Sequence, residues 1–169
     1  LIGGLPRGKF STVAGPEHTG KGAFLLQVIA HNQAKDPNFI AMWSNFENSF
    51  DREWAKHLGV DLDRVIFQEY TKEINTMEKM MDISLELLKS ETIDLWIVDS
   101  IGAMVPKGDI YSGKEERSLE DNNMLNLQRK LGEFYRKANT IINKNPITEY
   151  KGCAVVMVGQ VNKKLSLAA

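Results

Sequence analysis

Short, continuous apolar runs alternate along the chain with longer segments whose apolar residues recur every three or four positions. The first run, Phe10–Ala14, leads through a glycine-rich stretch into a helical pattern from about Lys21 to Lys35, expected to bury Phe24, Leu25, Val28 and Ile29. Asn38–Trp43 is the second run, followed by a short helix near Asp51–Leu58 that Gly59 stops. Val65–Gln68 precedes a helix from about Ile74 to Lys89, in which Met77, Met81, Leu85 and Leu88 share one face. The fourth run, Ile93–Val98, is apolar apart from Asp94 near its start. Residues 106–122 are polar and charged, contain Gly108 and Gly113, and read as a long loop. The clearest helix comes next: Met124, Leu127, Leu131, Phe134, Ala138 and Ile141 make its apolar face, with Gln128, Arg129, Lys130, Arg136 and Lys137 off it. After a turn at Asn145-Pro146 the last run, Cys153–Val158, has the pattern of a strand buried on both sides. Strands that are apolar throughout, alternating with helices, predict an α/β domain: a mostly parallel β-sheet with helices on both faces.

Composition narrows the class. The 169 residues are 43% hydrophobic and 25% charged, which suits one globular domain spanning 1–169. No apolar run approaches the roughly 20 residues of a membrane-spanning helix, so no membrane partner is expected. A net charge of −1 excludes a basic coat over the whole surface, so any nucleic-acid contact has to come from a local patch. The single cysteine, Cys153, rules out a disulfide framework and a Cys-based zinc site, and favours a cytoplasmic location. The chain starts at Leu1 and stops at Ala169, shortly after an apolar strand, and is expected to be the core of a longer protein.

Chemistry concentrates after the first strand. In Gly15-Pro16-Glu17-His18-Thr19-Gly20-Lys21, two glycines bracket four residues and a lysine follows at once, the spacing of a phosphate-binding loop. Such a loop turns successive N–H groups into one concavity, and the helix behind it adds its partial positive charge. Lys21 would reach the β- and γ-phosphates. The next position normally carries the Ser or Thr hydroxyl that helps hold Mg²⁺, but here it is Gly22, followed by Ala23. Thr19 lies on the other side of the turn. Phosphate binding survives this change, whereas metal placement and hydrolysis are expected to weaken. Asp99-Ser100 follows the run Leu95–Val98, where an α/β sheet presents its ligand site, and Asp99 there can hold Mg²⁺ or simply cap the next turn. His18, His31 and His57 are scattered, and His18 reads as a solvent-exposed loop residue.

The segments Gly15–Ala30 (GPEHTGKGAFLLQVIA), Ile97-Val98-Asp99-Ser100-Ile101-Gly102-Ala103 and Pro106-Lys107 together resemble the core of RecA-type DNA recombinases, a P-loop NTPase core. Gly4-Leu5-Pro6-Arg7-Gly8, Leu58-Gly59-Val60-Asp61 and Gln160 fit the same pattern, in matching order over nearly the whole chain. Local differences favour a divergent, bacteriophage-encoded member over a cellular bacterial one. The resemblance implies ATP and Mg²⁺ as ligands and roles for individual residues. Glu47 would activate the attacking water, although its spacing alone reads as an exposed loop carboxylate. Asp51 and Trp54 would contact adenine, Trp54 standing where the family usually has tyrosine; without the resemblance, Trp54 is equally a core residue. Gln160 would sense the γ-phosphate and pass its presence to the DNA-binding loop that follows.

The resemblance also places DNA contacts in two loops, one with Lys107, Lys114 and Arg117 and one beginning near Lys163 and Lys164. On charge alone the first loop reads as a solvated acidic face, since Asp109, Glu115, Glu116, Glu120 and Asp121 outnumber its basic residues. The implied activity is that of a DNA-dependent ATPase that binds single-stranded DNA as a helical filament and exchanges strands with double-stranded DNA, in a bacterial or phage-infected cell, with recombination mediators as further partners. An N-terminal oligomerisation segment and a C-terminal part would lie outside this chain. The alternatives are a hexameric helicase-like motor on the same core, or an ATP-binding recombination mediator or scaffold that no longer hydrolyses.

Overall fold

A computed structural model describes residues 4–107 and 123–161. Five strands, β1 (Phe10–Gly15), β2 (Ala41–Asn45), β3 (Val65–Glu69), β4 (Leu95–Asp99) and β5 (Ala154–Gln160), form one sheet in the order β1-β5-β4-β2-β3. Every pairing is parallel. Between them run α1 (Lys21–Lys35), α2 (Arg52–His57), α3 (Met77–Leu88) and α4 (Asn123–Ile141).

Alternation along the central strands sorts the core into two halves. Leu95 and Ile97 of β4, with Ala41, Trp43, Val156 and Val158, face α1 and α2. Trp96 and Val98, with Met42, Val155 and Met157, face α3 and α4. Helices therefore cover both faces, as the continuous apolar strands predict. Each fully buried Leu, Ile or Met contributes roughly 1.5–3 kcal/mol, and the central strands are lined with such residues. Among the described residues no helix is long and apolar enough to cross a membrane.

The predicted α3 face is observed: Met77, Met81, Leu85 and Leu88 are all buried. The helix starts later than its periodicity suggests because the Thr76 hydroxyl accepts from Lys79 N at its N-terminus. On α4, Phe134 and Ala138 are buried and Leu127, Leu131 and Ile141 pack partly against them. The buried face of α1 differs from the expected one. Leu25, Leu26, Ile29 and Gln33 point inward, while Phe24 is 50% exposed and Val28 only partly buried. Gln33 takes an inward position because its amide is satisfied there: Nε2 donates to Asp61 O (3.0 Å) and Oε1 accepts from Asp61 N (2.9 Å). Residues 108–122, read as a loop, and 162–169 lie outside the described residues.

Candidate nucleotide site

An all-parallel sheet puts every strand's carboxyl end on the same edge, and the residues with chemistry gather there. Register sets the pairs. Gly15 at the end of β1 lies opposite Gln160 at the end of β5, and Asn45 of β2 lies opposite Asp99 of β4. Phe46 N and Glu47 N both donate to Asp99 O, at 2.6 and 3.3 Å, which carries Glu47 past the strand end toward Asp99.

Between β1 and α1, residues 15–20 form the glycine-rich loop. Gly20 has φ +83°, a left-handed conformation that lets the loop turn directly into α1 without a side-chain cap. The first N–H groups of α1 are thus open to an anion at the positive end of the helix. Lys21 Nζ donates to Gly15 O (3.1 Å) and Pro16 O (2.7 Å), and the Thr19 hydroxyl donates to Pro16 O (2.8 Å), which ties the loop to its own lysine. A Cβ at Gly22 would meet nothing within 4 Å.

One cleft of about 490 Å³ joins this loop to the ends of β4 and β5 and the segment after β2. Glu17, His18, Thr19, Gly20, Lys21, Gly22 and Ala23 line it, as do Glu47, Asp51, Trp54, Asp99 and Gln160. Nearly every residue expected to touch the nucleotide is thereby brought to one place. Ser100 is buried, and its hydroxyl donates to Glu47 Oε1; Gln160 Nε2 donates to the same oxygen at 3.0 Å. The Asp99–Ser100 peptide bond is cis. Burial, then the charge of Glu47, push the Asp99 carboxyl up to about 6, with Lys21 opposing.

Asp51 caps α2, its carboxylate accepting from Trp54 N at 2.9 Å. Trp54 is 46% exposed, so it is a cleft residue and not a core residue. Five lining residues were not expected at the site: Leu26, Trp43, Ser49, Phe50 and Val158. Ser49 N donates to Asn45 Oδ1, and Phe50 packs edge-on against Trp43 at 5.0 Å, so both are fixed by the end of β2. The one sequence signal of Ser49 and Phe50 is position, between Glu47 and Asp51. Lys107 lies outside the cleft, exposed, with its N–H on Glu78 Oε2 beside the start of α3. Lys114, Arg117, Lys163 and Lys164 lie outside the described residues.

The donor set suits a magnesium nucleotide. Among the described residues no cluster of three or more His, Cys, Asp or Glu builds a metal cage. Mg²⁺ commonly needs only one or two carboxylates plus substrate phosphates and water, and Asp99, at the end of β4 and lining the cleft, could supply one.

Sheet order, loop and strand-end carboxylates together define an α/β protein of the phosphate-loop class. The comparison with known proteins is narrower: a family model for the RecA N-terminal domain matches residues 1–168. Protein RecA of Clostridium novyi (strain NT) is 32% identical over 98% of the chain, and those of Cytophaga hutchinsonii and Rickettsia prowazekii (strain Madrid E) are 30% and 31% identical over the same share. The chain belongs to the RecA family. It spans less than half of these relatives' length, 42–44%.

Proposed function

We propose that the chain is the single ATP-binding core domain of a longer cytoplasmic DNA recombinase, a DNA-dependent ATPase that binds single-stranded DNA as a helical filament and exchanges strands with homologous double-stranded DNA. The observation that carries this reading is the convergence of Ser100 and Gln160 on one oxygen of Glu47, inside the cleft shared by Lys21 and Asp99.

The loop amides and Lys21 bind the phosphates, and Asp99 holds Mg²⁺. The metal supplies charge that offsets what develops on the phosphoryl oxygens. Oε1 of Glu47 is held by two donors, which leaves Oε2 to orient a water and accept its proton as it attacks the γ-phosphate. Asp51 keeps one carboxylate oxygen on the α2 cap and has a second for the adenine amino group, while the exposed Trp54 ring stacks on the base. A γ-phosphate competes with Glu47 for the Gln160 amide. That exchange couples ATP to the segment after β5, where Lys163 and Lys164 meet DNA; Lys107, Lys114 and Arg117 supply the other contact.

The test is ATP hydrolysis by the full-length protein with Mg²⁺, with and without single-stranded DNA. Strong stimulation by DNA is expected. Lys21→Ala abolishes ATP binding, whereas Glu47→Gln keeps binding and loses about 100-fold or more in turnover. Unchanged turnover in Glu47→Gln removes its assigned role. Gly22 favours one second reading, an ATP-binding mediator without turnover, which tight binding and no hydrolysis in the parent protein would establish.

A further inference from the structure

Trp54 presents a large aromatic ring on the surface of a helix, lining the cleft. One face of that ring is already covered. The imidazole of His57 stacks on it, with ring centroids 5.3 Å apart and planes inclined by 18°. The two residues stand three apart on α2, the spacing that brings side chains onto one helix face. Trp54 lines the cleft and His57 does not. A planar ligand in the cleft is therefore left the indole face opposite the imidazole.

The helix under this pair is anchored. Asp51 caps it, and Ala55 is fully buried and accepts from Val60 N at 3.0 Å. The Arg52 guanidinium sits 4.6 Å from the centre of the Phe67 ring on β3, which is itself 4.2 Å from Phe50 in the cleft wall. The backbone beneath the indole is thus held by the sheet, and the remaining freedom is in the side chain. An exposed tryptophan loses rotamer freedom when a ligand stacks on it, and a partner that holds the ring beforehand removes part of that loss.

We infer that His57 is a positioning residue for the nucleotide base: its imidazole backs the Trp54 indole and holds the opposite face ready for stacking. The inference rests on the reading of Trp54 as the base contact. It makes His57 act on the base half of the ligand and not on the phosphates, which the loop at residues 15–21 would hold.

The test is equilibrium binding of ATP and of inorganic triphosphate, which has the charge but no base, to the full-length protein. His57→Ala is expected to weaken ATP about three- to tenfold and to leave inorganic triphosphate unchanged. His57→Phe, which restores a stacking partner, should recover the loss. The double variant with Trp54→Ala should bind ATP no more weakly than Trp54→Ala alone, because His57 acts through the indole. A separate readout is acrylamide quenching, taken as the difference between the full-length protein and its Trp54→Phe variant: within this domain Trp43 and Trp96 are 2% and 0% exposed, so that difference reports Trp54, and His57→Ala should make it more accessible. Unchanged ATP affinity in His57→Ala, equal losses for ATP and triphosphate, or an additive double variant each overturns the inference. If Trp54→Ala itself leaves ATP affinity unchanged, the reading of Trp54 as the base contact falls and the inference falls with it. A loss in Trp54→Ala with none in His57→Ala removes the inference alone.

Discussion

Gly22 stands where phosphate loops usually carry a hydroxyl, and the space around it is open. What is missing is an oxygen, not room. Gly22→Ser should therefore fold, gain on the order of 0.5 kcal/mol in helix propensity within α1, and lower the Mg²⁺ concentration for half-maximal ATP hydrolysis. A titration of activity against Mg²⁺ reads this directly. Asp99 makes a second prediction at this scale. Its folded-state value of about 6 lies above the ordinary 3.8, so between those values the folded protein holds a proton that the unfolded chain has lost. Stability then falls as pH rises through that window. Asp99→Asn removes the cost and should stabilise the nucleotide- and metal-free protein by on the order of 2 kcal/mol at pH 7, with the gain shrinking toward pH 4 in denaturant melts. Lys21 and Asp99 are legible because contiguous residues mark them. That Ser100 holds Glu47 is not, since the two are 53 positions apart and meet only through the pairing of β2 with β4.

Elements join through a buried polar chain as well as through apolar contact. Trp96 Nε1 on β4 donates to Ser44 Oγ on β2 (2.8 Å), which donates to Gln68 Oε1 on β3 (2.6 Å). The same Gln68 oxygen accepts from Ser84 Oγ on α3 at 2.7 Å. Ser44→Ala leaves the Trp96 donor without its acceptor and should cost about 1–3 kcal/mol, measured by chemical denaturation. The helices of this chain are read well from their spacing, because apolar residues on one face repeat with the turn. The polar chain carries no such repeat. Ser44 and Gln68 sit at the ends of apolar runs, where a polar residue looks like the edge of a strand. The buried Gln33 is hidden inside the α1 pattern, where an amide reads as surface, and the observed face takes in Leu26 and Gln33 and leaves Phe24 half exposed.

Across the whole molecule, the amino ends of the strands are clasped at the pole opposite the cleft. Arg7 Nη1 donates to Asp94 Oδ1 (2.7 Å) and to Gly152 O (2.9 Å), and Asp94 Oδ2 accepts from Ile40 N (3.0 Å). The chain before β1, β2, β4 and β5 is held in one knot. Gly152 sits inside it at φ +88°, where a Cβ would come within 2.9 Å of Ile142 O and 3.1 Å of Lys144 N. Gly152→Ala should cost more than about 2 kcal/mol and lower Tm by roughly 5–10 °C, read by thermal unfolding. By itself the sequence determined the alternation of strands and helices, the two-sided burial of the central strands, the glycine-rich loop and the carboxylate that ends β4. Each of these is written in neighbouring residues or in a repeat of two to four positions. Only the tertiary structure decided that Gln160 and Ser100 share one oxygen of Glu47, that Trp54 faces the cleft with His57 behind it, and that residue 152 has to be glycine. Glu47 and Gln160 are 113 positions apart in the chain. The order β1-β5-β4-β2-β3 brings them within hydrogen-bond reach, and contacts at that separation leave no trace in local periodicity.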